Sequence, residues 1–120
     1  MKQTLISNLP IHLKQECFYY EVKIRNCASH RQNVVVGLAS RETPMNEMLG
    51  TFLGSYGYRA DGKIYRFRGG EPVASKYGAT FAAGDVIGCG LLPAQQEVFY
   101  TKNGKYLGVA FKGVMVTTRQ

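Results

Sequence analysis

Residues 84–111 read GDVIGCGLLPAQQEVFYTKNGKYLGVAF. An apolar run, Val86-Ile87-Gly88-Cys89-Gly90-Leu91-Leu92, is followed by a polar break, Pro93-Ala94-Gln95-Gln96-Glu97, and a second run, Val98-Phe99-Tyr100-Thr101. Lys102-Asn103-Gly104-Lys105 then turns the chain into a third run, residues 106–111. Asn-Gly tolerates positive φ at both central turn positions, which makes it the strongest short-range hairpin signal. With β-branched and aromatic residues on both sides, the pattern predicts three consecutive antiparallel strands.

Upstream, residues 52–67 read as a second hairpin. Tyr56 and Tyr58 alternate with Gly57, Ala60-Asp61-Gly62-Lys63 supplies the turn, and Ile64-Tyr65-Arg66-Phe67 returns. Residues 68–76, with Gly69-Gly70 and Pro72, read as a loop, and 77–83 lead into a turn at Gly84-Asp85. Residues 34–39 (VVVGLA) form a short continuous apolar run suited to a central strand. In residues 17–26, Phe18, Tyr20, Val22 and Ile24 alternate with Tyr19, Glu21, Lys23 and Arg25, the pattern of a half-buried strand. Residues 27–33 and the long polar segment 40–51 read as loops. Ile11 and Leu13 suggest a short strand, with Pro10 at an edge, and 113–120 a short β-prone tail. Strands at this spacing without helical periodicity predict an all-β chain, a sandwich of two antiparallel sheets.

A chain of 120 residues with 45% hydrophobic and 19% charged residues is expected to fold as one domain, residues 1–120. Three cysteines, Cys17, Cys27 and Cys89, show no disulfide-framework spacing and favour a reducing compartment. The N-terminal residues lack the apolar core of a secretion signal, and nothing approaches the roughly 20 apolar residues of a membrane span. A soluble, intracellular, cytoplasmic protein is expected. The formal net charge of +7 suits nucleic acid, an anionic surface or an acidic protein. Most charges are spread singly along alternating strands, except the cluster Arg59, Lys63, Arg66 and Arg68. A dispersed basic surface is the plainer account; a nucleic-acid footprint on that cluster is the alternative function, recognisable by steep salt dependence.

Groups that could act together in catalysis are not found. His12 and His30 sit in no recognisable motif, and Cys27 with His30 would need Cys17 and Cys89, at unpaired spacing, to complete a metal site. In Gly54-Ser55-Tyr56-Gly57, Leu53 stands where a nucleophile elbow needs glycine. Gly50-Thr51-Phe52-Leu53-Gly54 lacks the lysine of a phosphate-binding loop. The eight acidic residues form no evident acid–base pair. A carbohydrate site has little support without tryptophan. No enzyme, cofactor or metal is expected. Tyrosine and arginine instead suit a protein interface, combining large contact area with polar ends.

Several blocks together resemble the SPRY domain family, in the form without an N-terminal PRY extension. Tyr19-Tyr20-Glu21-Val22, Val36-Gly37-Leu38-Ala39, Gly54-Ser55-Tyr56-Gly57-Tyr58 and Asp61-Gly62-Lys63 follow in family order. Tyr77-Gly78, Gly84-Asp85-Val86-Ile87-Gly88-Cys89-Gly90, Phe99-Tyr100-Thr101-Lys102-Asn103-Gly104 and Leu107-Gly108-Val109-Ala110-Phe111 complete the series. The match covers about residues 11–114 and is nearest the Ran-binding-protein-M-like branch, which carries a similar GDVIGC and FYTKNG.

The resemblance implies a bent two-sheet sandwich without catalytic activity. It also implies a protein-interaction module that grips a short peptide segment with loops at one edge, in many relatives as a substrate-recognition or scaffolding part of a ubiquitin-ligase assembly. Tyr65 matches an aromatic residue that lines the pocket in some relatives. Loops 40–50, 66–76 and 93–96 would form the rim, giving Arg41, Pro44, Met45, Tyr65, Arg66, Arg68, Tyr77 and Gln95 as candidate partner-binding residues. The family normally runs through two more strands after Phe111, one of them part of the binding face. Here only 113–120 follow, so the expectation is a C-terminally truncated domain, or Val114-Met115-Val116 in partial replacement. An edge left unpaired would invite a homodimer or strand exchange.

Overall fold

Asn103 and Gly104 take φ values of 52° and 82°, as a two-residue hairpin turn requires. In the computed structural model, which describes residues 3–6, 17–25, 34–39 and 54–114, the predicted meander is present. The strands are β1 Gln3–Ile6, β2 Phe18–Lys23, β3 Val34–Leu38, β4 Tyr56–Arg59, β5 Lys63–Arg68, β6 Glu71–Lys76, β7 Val86–Leu92, β8 Glu97–Lys102 and β9 Lys105–Phe111. They form a five-stranded sheet, β1-β3-β4-β5-β6, and a four-stranded sheet, β2-β7-β8-β9. All pairings are antiparallel except β1 with β3, which is parallel. The short strand expected around Ile11 and Leu13 lies outside the described residues.

β3 is central, as its apolar run requires, with β1 on one side and β4 on the other. In β2 the alternation holds. Phe18 is buried and Tyr20 and Val22 are half-buried, while Tyr19, Glu21 and Lys23 are exposed. Between the sheets lies a cluster of rings. Tyr58 has Tyr77, Phe81 and Tyr100 at centroid distances of 5.2, 5.0 and 5.0 Å, and Phe111 packs 5.2 Å from Tyr56. Such tilted and edge-on pairs stabilise beyond the area they bury. The Tyr20 hydroxyl donates to the Gly37 carbonyl, tying the four-stranded sheet to the other.

One expectation needs correction. Residues 71–76 are not loop but strand β6, joined to β5 through Gly69 and Gly70 at φ 64° and 86°. All six residues of β6 are exposed, so no buried face imposes an apolar period. Pro72 is tolerated because the strand lies at the edge of the sheet. The Gly-Gly pair that suggested a loop is the hairpin turn.

The Gly84-Asp85 run and the Asn103-Gly104 turn form one structural unit. Asn103 Nδ2 donates to Asp85 Oδ1 at 3.0 Å, and the Ala82 amide donates to Asp85 Oδ2 at 2.8 Å. The Val86 amide donates to Asn103 Oδ1 at 2.8 Å, and the Asn103 amide to the Val86 carbonyl at 2.7 Å. These bonds close the start of β7 onto the β8–β9 turn.

Candidate functional site

Strand register decides which loops meet. The cross-strand row Leu38, Tyr56, Arg66, Val73 places the ends of β3 and β5 and the beginnings of β4 and β6 at one end of the sandwich. The Arg66 guanidinium donates from Nη1 to the Lys112 carbonyl at 2.8 Å, and the Val114 amide donates to the Gln96 carbonyl at 2.9 Å. Phe111, Lys112 and the β7–β8 turn, with exposed Gln95, therefore share that end. Of the segments expected at the rim, 93–96 is the β7–β8 turn at this end, while 66–76 is the β5–β6 hairpin, whose turn at Gly69 and Gly70 also lies here. Arg41, Pro44 and Met45 lie outside the described residues, although Ala39 and Gly54, which flank that segment, are at this same end.

Tyr65 and Arg66 do not share a surface. On β5, Lys63, Tyr65 and Phe67 face outward, whereas Ile64, Arg66 and Arg68 face the side of the four-stranded sheet, as the period of two dictates. The half-buried Tyr65 ring packs on Val35, which is fully buried on the outer face. The Arg59 guanidinium lies 4.8 Å from its centroid. Arg59 is in turn fixed by Asp61, at 3.0 Å from Nε and 2.5 Å from Nη2. Burial raises the Tyr65 hydroxyl above its ordinary pKa while the Arg59 charge opposes the rise. The result is a neutral phenol beneath a fixed cation, able to offer a ring edge and a hydroxyl to a ligand. Arg59 entered the sequence reading only as one of four cations. The alternation of β4 and β5 held the signal that it stands beside Tyr65.

On the inner side, Arg66 lies over Tyr56 and Phe111, 5.2 and 5.8 Å from their centroids. It borders a groove of about 260 Å³ lined by Ile64, Arg66, Arg68, Val73, Phe111 and Lys112 among others. Phe111 and Lys112 were not anticipated as walls, because only the fold brings β9 under β5. The four clustered cations thus divide between two faces: Arg59 and Lys63 on one, Arg66 and Arg68 on the other. They do not form the single stripe that a nucleic-acid backbone would follow.

Tyr77 is placed between the sheets. Its hydroxyl donates to the Gly108 carbonyl at 2.6 Å and accepts from the Tyr100 amide at 3.3 Å. Burial pushes its pKa well up. Cys89 is buried in β7, and its thiol is pushed up to about 12 by burial, which keeps it protonated and unreactive. Cys27, His12 and His30 lie outside the described residues. Among the described residues no cluster of His, Cys, Asp and Glu is arranged to hold a metal ion, and no helix is long and apolar enough to cross a membrane.

Comparison with known proteins agrees with this architecture. A family model described as SPRY domain matches residues 17–118. The chain is 38% identical over 96 residues to the dual specificity protein kinase splA of Dictyostelium discoideum, covering 80% of the chain and 4% of that protein. It is 40% identical over 108 residues to Ran-binding protein 9 of Xenopus laevis, covering 88% of the chain and 19% of that protein. It is 41% identical over 105 residues to Ran-binding protein 10 of Danio rerio, covering 85% and 16%. The chain spans at most 19% of the length of these relatives. Among solved structures, a human SPRY domain superposes with a TM-score of 0.70 at 30% identity, over 87% of this chain and 65% of that one. The SPRY domain of human HERC1 superposes at 0.65 with 22% identity, over 84% and 61%, a likeness of fold.

Proposed function

The chain belongs to the SPRY domain family, a non-catalytic interaction fold, and from that premise we propose that residues 1–120 act as a single module binding a short peptide segment of a partner protein. The surface is the outer face around Tyr65, and Arg41, Pro44, Met45 and Gln95 are the further contacts that the family resemblance suggests. The observation that carries this reading is the Arg59–Tyr65 stack at 4.8 Å. It presents a rigid aromatic ring and a fixed cation side by side on a half-buried surface, the combination that anchors protein interfaces.

The module works inside a larger assembly as a substrate-recognising or scaffolding part, a ubiquitin ligase being the assembly that the family resemblance suggests. The relatives named as Ran-binding proteins support a protein as ligand. Such an activity needs no cofactor and suits the reducing interior of the cell, where Cys89 remains a thiol.

The test is a comparison of wild type, Tyr65→Ala and Arg59→Ala as bait, with bound proteins identified by mass spectrometry and the fold checked by circular dichroism. Both folded variants should lose the partner that wild type retains specifically. Retention by both would refute the outer-face site. Co-purification of ligase subunits with wild type supports the assembly role, and their consistent absence from the recovered complex contradicts it.

A further inference from the structure

We propose that the open edge of β6, with the groove at its inner side, receives an acidic extended segment of the partner as an added strand. This rests on the reading of the domain as a peptide-binding module, and concerns a surface separate from Tyr65.

β6 closes the five-stranded sheet and is exposed along its whole length. The Tyr77 amide donates to the Gly62 carbonyl at 3.1 Å, which fixes the phase of the β5–β6 ladder. With Ile64 opposite Ser75 and Arg66 opposite Val73, the backbone groups of Ser75 and Val73 point to β5. Those of Ala74 and Lys76 point to the open side. Pro72 presents a carbonyl there and no N–H. The edge therefore offers a short bonding frame, donor and acceptor at Ala74 and again at Lys76, with the proline ending the donor series.

Side chains on the inner face of an added strand would fall over the groove. Its walls carry Arg66, Arg68 and Lys112 and no carboxylate. Arg68 and Lys112 are exposed, while the Arg66 guanidinium is packed over Tyr56 and Phe111 behind them. Neither Arg66 nor Arg68 forms an ion pair among the described residues. Val73, 41% exposed, and Phe111 provide the apolar floor. An incoming carboxylate would pair with the accessible Arg68 and Lys112 and neutralise clustered charge. A second copy of this chain would bring the same cations face to face, on a protein of net charge +7, so the occupant is an acidic segment. A polynucleotide could carry the charge but has no backbone to continue the ladder.

The experiment titrates the ¹⁵N-labelled chain with a capped peptide alternating valine and glutamate, and with its valine–lysine counterpart. The glutamate peptide is expected to bind at least about tenfold more tightly, and to slow hydrogen exchange at the Ala74 and Lys76 amides. Arg68→Glu should reverse the preference and Ala74→Pro should abolish binding, whereas Tyr65→Ala should leave it intact. Equal affinity for both peptides, or protection elsewhere than β6, would overturn the proposal. Loss of partner capture in Tyr65→Ala with unchanged peptide binding would support both surfaces. Loss of peptide binding in Tyr65→Ala alone would place the peptide on the outer face and refute the β6 site.

Discussion

Tyr65 and Arg66, consecutive in β5, stack on opposite sides of the same sheet. Tyr65 lies under Arg59 at 4.8 Å on the outer face, and Arg66 lies over Tyr56 at 5.2 Å on the inner one. Substitutions at these neighbours therefore report on different surfaces. Arg66 also carries a hydrogen bond to the Lys112 carbonyl that holds β9 to β5. Arg66→Ala should lower stability by about 1–2 kcal/mol in denaturant unfolding. Arg68→Ala, at an exposed position, should stay within about 0.5 kcal/mol of wild type. Equal losses would mean that Arg66 is not packed as described.

Tyr77 separates structure from recognition. Its hydroxyl serves the Gly108 carbonyl and the Tyr100 amide across the two sheets. Tyr77→Phe should cost about 1–2 kcal/mol in the same assay and leave partner affinity unchanged at temperatures where the variant is folded. Weakened binding by a fully folded variant would return Tyr77 to the binding surface.

Gly90 owes its place to the Phe99 ring lying across it. A Cβ there would sit 2.2 Å from that ring. Gly90→Ala is expected to destabilise by about 1–3 kcal/mol, and Phe99→Leu in the same chain should recover part of the loss. Thermal unfolding of the single and double variants measures the coupling. A neutral single variant would show that the ring has room to move away.

Acid should weaken the turn network. Asp85 is held below the ordinary carboxylate range by the hydrogen bond from Asn103, then by the Ala82 amide and the Lys102 charge. At Asp61, desolvation acts upward, but the hydrogen bonds from Arg59 and the Lys63 amide and the nearby positive charges bring the carboxyl below its usual value. For both groups the folded pKa lies below the unfolded one. Their stabilising contribution is complete above about pH 4 and lost as pH falls through the folded values. Urea unfolding between neutral pH and pH 2 should show this decline, and Asp85→Ala should reduce it. An unchanged acid slope in Asp85→Ala would remove Asp85 from the network.

The meander was legible because Asn103-Gly104 and the alternation around it satisfy local rules that the packing also needs. β2 was legible for the same reason. β6 was not, because a strand exposed along its length carries no apolar period, and its Gly-Gly turn and Pro72 resemble loop. Tyr65 and Arg66 are neighbours in sequence and both stand among the candidate binding residues, while the pleat of β5 divides them between two faces. Phe111 and Lys112 became groove walls only through the non-local pairing of sheets. The parallel pairing of β1 with β3 had no local signal at all, since it joins segments about thirty residues apart in register.

The central claim is that the Tyr65 face recognises a peptide. Its most direct test begins with peptides selected on the domain from a random library. Chemical-shift mapping of the tightest binder would follow, with its affinity for Tyr65→Ala measured by calorimetry. Shifts centred on Val35, Arg59 and Tyr65, with affinity reduced by about tenfold or more in the variant, are the predicted result. Unchanged affinity for a correctly folded Tyr65→Ala, with shifts elsewhere, would contradict it.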